Sequence, residues 1–350
     1  NFLANLTAEL TFTKWLKFKS TFGYDAKFWF MDNFTPKYDW KPTPTEETSR
    51  YKSDNKSFTY LWDNYFLFDH TFAEKHRVGL MAGMSAQWNT HDYLNAQKNV
   101  FMFDNVHEMD NGEEMYAIGG NETEWALLSY MARVNYSYED RYLLTATIRR
   151  DGSSRFGKEN KWGTFPSAAF AWRVNQESFL RDVSWIDNLK LRVSYGIVGN
   201  QNGIGNYTTL GLADNKGYEF GNVFQMGYLP GKELSNPNLK WEQSATANFG
   251  VDFSFFNGRL NGTVEYYNTH TKDLLVKRSL NASLGYTTML DNLGKTKSSG
   301  IDLSLNGDVV CTKEFTWTLG TNFSMYKNEI VRIDDTLDEN GKPASQVAQG

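Results

Sequence analysis

Hydrophobic and polar residues alternate with a period of two along residues 244–267, around one tight reversal. Successive side chains of a β-strand point to opposite faces, so this alternation predicts two strands joined by Asn257-Gly258-Arg259. One face of the first strand carries Ala245, Ala247, Phe249, Val251, Phe253 and Phe255. Ordinary strands have about five or six residues, and this one is about twice that length. A tilted strand of roughly nine to eleven residues is what a bilayer requires, so the hairpin suggests a membrane barrel.

The same hairpin pattern recurs along the chain and predicts about twelve strands in all. The others are predicted at 3–12, 16–30, 58–72, 78–89, 128–138, 142–150, 164–174, 189–198, 300–310 and 315–327. Short turns at 13–15, 73–76, 139–141, 257–259 and 311–314 alternate with long connections at 31–56, 90–124, 151–163, 199–240, 274–297 and 328–350. Short turns on one side and long loops on the other are typical of outer-membrane barrels. The connection 175–188 is an exception, because it lies where a short turn is expected but is longer, and it has room for one helical turn.

Composition narrows the class of protein. The chain has 350 residues, 16% of them aromatic, and a mean hydropathy of −0.56. It has no apolar run of the roughly eighteen residues that a transmembrane helix needs. A transmembrane barrel is still compatible with this composition, because polar residues alternate with apolar ones along each barrel strand. The net charge of −5 gives no indication of a nucleic-acid partner. The single cysteine, Cys311, excludes an internal disulfide and hence a disulfide-stapled secreted scaffold.

The apolar side of the alternating strands is the side that we expect to face lipid. The lipid-facing residues predicted in this way are Phe249, Val251, Phe253, Val264, Leu144, Ile148, Trp317 and Leu319. Aromatic residues also cluster at strand ends, for example Trp15 and Phe72 near short turns. Girdles at the two membrane interfaces would explain this clustering, and the general preference of aromatic residues for strands is the alternative.

The sequence contains no recognisable catalytic or metal-binding pattern. It has 5 histidines but no HExxH or CxxC motif. The acidic residues after His107 fit a solvated loop better than a metal site. The segment 151–154, with sequence Asp-Gly-Ser-Ser, lacks the spacing of a nucleophile elbow or a phosphate loop. We therefore predict no enzyme activity, no cofactor and no metal.

Aromatic residues in the long connections are better functional candidates. The predicted substrate- or partner-contacting set is Tyr93, Phe101, Phe103, Tyr207, Tyr218, Phe220, Phe224 and Tyr228. Three roles are open for them: stacking on sugar rings, packing on a partner protein, and folding the loop upon itself.

Four stretches of the chain carry a family resemblance. They include the motifs Arg149-Arg-Asp-Gly-Ser-Ser-Arg-Phe156, Leu191-Arg-Val-Ser-Tyr-Gly196, Asn236-Pro-Asn-Leu-Lys-Trp-Glu242 and Ser299-Gly-Ile-Asp-Leu303. In content, order and spacing these motifs resemble the barrel of SusC/RagA-type TonB-dependent outer-membrane transporters. The resemblance covers roughly residues 125–330, and the first 120 residues fit more loosely.

The resemblance implies an all-β, antiparallel transmembrane barrel of about 22 strands closed by a plug. Residues 1–350 would then be part of one barrel domain, with the plug and the terminal strands outside this sequence. It implies a multi-pass protein of the Gram-negative outer membrane, in contact with its lipid, and energy from TonB through the plug. It also implies a SusD-like lipoprotein partner that captures an oligosaccharide or peptide substrate.

The expected function is therefore TonB-dependent import of oligosaccharides or other oligomeric nutrients. The alternatives are a passive porin and a β-rich secreted adhesin or glycan-binding module.

Overall fold

The computed structural model describes residues 1–38, 47–103, 105–181, 183–221 and 223–333. These residues form β-strands and three short 3₁₀ turns, and none of the turns is long and apolar enough to cross a membrane. The strands are β1 (Phe2–Thr13), β2 (Leu16–Thr35), β3 (Ser49–Phe72), β4 (His76–Phe101), β5 (Gly112–Tyr138), β6 (Tyr142–Ser153), β7 (Trp162–Arg173), β8 (Ile186–Asn200), β9 (Ala213–Phe220), β10 (Val223–Pro230), β11 (Glu233–Leu234), β12 (Glu242–Phe255), β13 (Leu260–Ser279), β14 (Thr288–Cys311) and β15 (Thr316–Arg332). The all-β prediction is confirmed.

Strand order in the main sheet follows the chain, from β1 to β8 and on through β12, β13, β14 and β15. The pairs from β6 to β8 and from β12 to β15 are antiparallel, as is the pair of β8 with β12. Each of the twelve predicted strands lies on one of these long strands. The short strand β11 pairs with β14 in parallel, and β9 and β10 form a separate two-stranded sheet.

Several connections that we expected to be long loops are strands over much of their length, so those predicted bounds are wrong. β3 begins at Ser49 and β5 at Gly112, both well before the alternation that predicted them. In the 274–297 connection, pairing runs from Leu274 with Gly294 to Ser279 with Thr288. The alternation stops there because Leu274, Leu275 and Val276 are three successive apolar residues and the register shifts on both sides of Leu274, whereas backbone hydrogen bonding does not depend on the pattern.

The short turns show why the hairpins are tight. In the β12–β13 turn, Arg259 N–H donates to the carbonyl of Phe256, and Asn257 and Gly258 both have positive φ, at 57° and 78°. Two central residues with positive φ define a type I′ turn, whose twist matches that of the flanking strands. The predicted reversal at 257–259 is confirmed. The 175–188 connection does contain one helical turn, in which Arg181 N–H donates to Glu177 O at 2.9 Å.

Contacts divide the chain into two units that are described separately. The first unit comprises Asn1–Glu9, Lys19–Asn64 and Ser85–Leu128, and the second comprises Leu10–Phe18, Tyr65–Met84 and Ser129–Gly350. Both units consist of paired strands whose two faces differ in chemistry.

In the second unit the strand register aligns apolar residues into rows across seven strands. One row contains Leu144, Phe170, Val193, Phe249, Tyr266, Ile301 and Met325. The next row on the same face contains Tyr142, Trp172, Leu191, Val251, Val264, Leu303 and Phe323. Every member of the first row is at least 40% exposed, so no other part of the described chain covers this face. We call it the apolar face.

Candidate functional site: the polar face and the long connections

The opposite face of the second unit is hydrophilic, and Arg192 of β8 lies at its centre. Its guanidinium donates through Nε and Nη2 to the two carboxylate oxygens of Asp252, both at 2.8 Å. Nη2 also donates to Oε1 of Glu265 at 2.5 Å. A planar guanidinium matches a carboxylate in this two-pronged geometry, which fixes the orientation of all three side chains. The network therefore joins β8, β12 and β13 through side chains as well as backbone.

The room for Arg192 comes from Gly250, which lies opposite it in the register and is buried. A Cβ on Gly250 would lie 2.9 Å from Arg192 Nη2, closer than a side chain tolerates. Thr263 donates to Asp252 at 3.2 Å, and Lys190 lies 3.8 Å from the same carboxylate. A cavity of about 500 Å³ adjoins the network and is lined by residues that include Asp302, Ser304 and Asn322. This face can hold water and polar solutes.

Residues from the connections that follow β6, β8 and β11 form one small buried core together with Phe165 of β7. Its rings are Phe156, Phe165 and Trp241, with centroids 4.9 Å apart for Phe156–Trp241 and 5.5 Å for Phe165–Trp241. Leu239 is fully buried, and Ile204 is 3% exposed. We call these five residues the loop core. Segments that sequence alone suggested were free loops are thus fixed by packing.

Glycines and buried polar groups complete the loop core. The ring of Phe165 lies on Gly163 and Gly199, and a Cβ on Gly199 would be 2.0 Å from its Cζ. Trp241 Nε1 donates to the carbonyl of Lys161 at 3.2 Å. Arg155 donates to Asn206 Oδ1 at 2.9 Å, and burial lowers its pKa.

Strands β9 and β10 form a hairpin within the connection 199–240, which we predicted to be a long loop. Phe224, Met226 and Tyr228 lie on one face of it, and each is more than 60% exposed. The ring of Phe224 lies against Gly217 of the other strand. Phe220 lies on the opposite face and is 77% exposed. The predicted contact residue Tyr218 is in β9, but its side chain lies outside the described part of the structure.

The remaining loop candidates differ in accessibility. Phe103 is 59% exposed, whereas Phe101 is 6% exposed and packs edge-on against Phe34 with centroids 5.5 Å apart. Tyr207 is half-buried beside the loop core. Tyr93 is not in a loop, because β4 extends to Phe101, and its ring adjoins His91.

On the short-turn side, Glu177 of the β7–β8 connection receives hydrogen bonds from the β5–β6 turn and from strands β6 and β7. It accepts hydrogen bonds from the Tyr142 hydroxyl at 2.7 Å, from Trp172 Nε1 at 3.0 Å and from Arg141 Nη1 at 3.3 Å. These donors, the Tyr142 hydroxyl foremost, hold the pKa of Glu177 below its ordinary value because each favours the charged carboxylate. The carboxylate thus ties the β5–β6 turn to the β7–β8 connection.

The described residues contain no group of three histidine, cysteine or acidic side chains placed to hold a metal ion. His107 stacks on the ring of Phe34, with centroids 3.8 Å apart.

A family model described as TonB dependent receptor-like, beta-barrel matches residues 1–349. The chain belongs to this family. It is accordingly part of a multi-pass β-barrel of the outer membrane, and the resemblance to SusC/RagA-type transporters is confirmed.

Among curated receptors, the chain is 34% identical to TonB-dependent receptor P39 of Formosa agariphila, over 91% of this chain and 30% of that protein. It is 42% identical to TonB-dependent receptor SusC of Bacteroides thetaiotaomicron, over 60% of this chain and 21% of SusC. The RagAB peptide transporter structure superimposes with a TM-score of 0.83 at 24% identity, covering 99% of this chain and 38% of that one. At that identity the superposition establishes the fold alone. The chain spans about a third or less of the length of the curated receptors it matches.

Sequence reasoning did not find two features of this receptor barrel. The β9–β10 hairpin has a usable signal, because Gly221-Asn222 between two aromatic-rich runs is a typical two-residue hairpin turn. The loop core has no local signal, since Phe156 and Trp241 are far apart in the chain and meet only in the folded sheet.

Proposed function

We propose that the whole protein imports oligosaccharides across the outer membrane with energy from TonB, and that a SusD-like lipoprotein delivers them. The observation that carries the proposal is the pair of opposed faces, one a row of exposed apolar residues over seven strands, the other the Arg192 network. A barrel wall needs both, because lipid contacts one side and water the other. Membership of the receptor family and similarity to SusC support the transport role.

In this proposal residues 1–350 belong to one barrel domain, and the apolar face contacts lipid. The eight lipid-facing residues proposed are Phe249, Val251, Phe253, Val264, Leu144, Ile148, Trp317 and Leu319, which all fall on that face by register and alternation. The polar face lines the lumen, and TonB acts through a plug outside this sequence. No catalytic step, metal or cofactor is part of the proposal.

The exposed hairpin rings Phe220, Phe224 and Tyr228 are proposed to contact the lipoprotein or the incoming substrate. More than half of each ring is accessible, and no other part of the described chain covers them. Phe101 is not included among the contacts because it is already packed inside the chain.

Uptake of labelled hexasaccharides and labelled peptides, measured in cells with and without TonB, tests the transport role. We expect accumulation of at least one hexasaccharide that disappears when TonB is deleted. TonB-independent accumulation would instead indicate a passive porin, and recovery of the protein from the medium would indicate an adhesin. If only peptides were taken up in a TonB-dependent manner, the proposed substrate would change from oligosaccharides to peptides, since the RagAB relative is a peptide transporter.

A further inference from the structure

Two tryptophans mark the two ends of the apolar face on β7. Trp162 and Trp172 are ten residues apart in this strand and therefore lie on the same face. Ten residues rise about 33 Å along a strand, which a tilt of about 40° reduces to about 25 Å along the barrel axis. The apolar band of a membrane barrel is about 25 Å tall and has aromatic girdles at both edges. Trp172 is at the short-turn edge, so Trp162 is at the edge next to the long connections, which face the cell exterior.

The indole of Trp162 is fixed by its neighbours and supports a guanidinium. Gly152 lies opposite it in the register, and a Cβ there would be 2.8 Å from three atoms of the indole. The ring of Tyr130 is near-parallel to it, with centroids 6.0 Å apart and an interplanar angle of 22°. Cζ of Arg150 lies 5.4 Å from the centroid of the indole, within the range of a cation–π contact. Packing thus sets the position of the Arg150 guanidinium.

Arg150 carries a charge that the described chain does not neutralise. Its neighbour Arg149 points to the polar face, where Nε donates to both carboxylate oxygens of Asp151, at 2.7 and 3.0 Å. Arg150 is exposed on the apolar face and forms no ion pair with any acidic side chain in the part of the chain that the structure describes. A cation beside hydrocarbon is costly unless an anion or water meets it. The charge on this face therefore calls for an external counter-charge.

Contact with water alone does not explain the arrangement. A long cationic side chain at a membrane edge usually extends away from the hydrocarbon and needs no fixed support. Arg150 is instead held at the level of the girdle by the indole beneath it. Thr164 lies directly opposite Arg150 in the register and is exposed, so a hydroxyl is available on the same face. We call Arg150, Trp162 and Thr164 the outer arginine site.

We propose that the outer arginine site binds a phosphate group on the headgroup of an outer-leaflet lipid, an inference that goes beyond transport and rests on the lipid-facing assignment proposed above. A guanidinium that stacks through its face keeps its N–H groups free at its edge, where they match two oxygens of a phosphate. The hydroxyl of Thr164 can donate to a third oxygen. Lipid phosphates lie at the depth where the apolar band ends, which is the depth of the girdle.

Binding of monophosphoryl lipid A to the purified full-length receptor, followed by native mass spectrometry, tests the site. We expect Arg150→Gln to weaken the tightest binding at least tenfold. Arg150→Lys should weaken it less, because the charge remains but the two-pronged geometry is lost. The matched control is Arg149→Gln, which makes the same change on the opposite face and should alter affinity less than twofold. Lipid A without its phosphate should bind the unmodified receptor and Arg150→Gln equally. A heat-modifiability gel confirms that each variant is folded.

The outcomes distinguish the site from the assignment of faces. Equal binding of monophosphoryl lipid A by the unmodified receptor and by Arg150→Gln overturns the site. Displacement of the lipid by an equal concentration of inorganic phosphate overturns its assignment to a lipid, because the site would then take a soluble anion. Either result leaves the lipid-facing assignment standing if Phe249→Arg lowers stability more than Asn248→Arg does. Equal stability losses in those two variants would overturn the face and the site together.

Discussion

A single charge placed on the apolar face tests the membrane assignment most directly. Phe249 lies near the middle of the row that crosses seven strands, six residues before the end of β12 at Phe255. At a rise of about 3.3 Å per residue and a tilt of about 40°, six residues span about 15 Å along the barrel axis. The apolar band of such barrels is about 25 Å tall, so Phe249 lies close to its midplane. Arginine there should cost about 2–4 kcal/mol, whereas near the interface the cost falls to about 0–1 kcal/mol.

The assay is the free energy of unfolding of the full-length protein, measured by guanidinium titration in phospholipid vesicles. Phe249→Arg should lower it by about 3 kcal/mol, a factor of about 150 in the folding equilibrium. Two control variants also introduce arginine. Phe255→Arg places it on the same face but nearer the membrane interface, and Asn248→Arg places it at a similar depth but on the polar face. Both should lower stability by less than about 1 kcal/mol. Equal losses for Phe249→Arg and Asn248→Arg would refute the assignment of faces.

Three further predictions concern the polar face and the connections. Arg192→Ala should lower the same unfolding free energy by about 2 kcal/mol, because it leaves two neighbouring carboxylates without their shared donor. A smaller loss of unfolding free energy at low salt than at high salt would contradict this prediction. Gly199→Ala should make the long connections sensitive to limited proteolysis by displacing the ring of Phe165. Gly211→Ala should not, because its Cβ would meet only Ser235 Oγ, at an ordinary contact distance of 3.7 Å. The lowered pKa of Glu177 means that its stabilising contribution is complete above the carboxyl's unfolded pKa of about 4.3 and is lost as the pH falls through the lower folded value. The protection factors of residues 174–181 against hydrogen exchange should therefore fall below about pH 4, and Glu177→Gln should remove that step.

The strands and their faces could be predicted from sequence because the governing rule is local. Alternation alone assigned Phe249 and Val264 to one face, and Asn257-Gly258 fixed the turn between their strands. Strand ends could not be placed, since backbone pairing continues past the point where the alternation stops, as in β3.

The candidate site was much less predictable. Aromatic content drew attention to Tyr93 and to the hairpin residues, but it does not show that the ring of Tyr93 adjoins His91. Whether an aromatic ring packs inside, as Phe101 does, or stays accessible, as Phe224 does, depends on partners distant in sequence. The same holds for the loop core, whose members come from β7 and three separate connections.

The β9–β10 hairpin, which pairs only with itself among the described residues, has a practical consequence for labelling. Its register is independent of the main sheet, and Gly221 at its tip has a positive φ of 65° with no atom close by. A short epitope or fluorophore-acceptor peptide inserted after Gly221 should leave the barrel wall undisturbed, because no strand of the wall changes its partner. The same insertion at Leu239, which is fully buried, should abolish surface display. The hairpin is thus a natural attachment point for imaging the protein on living cells.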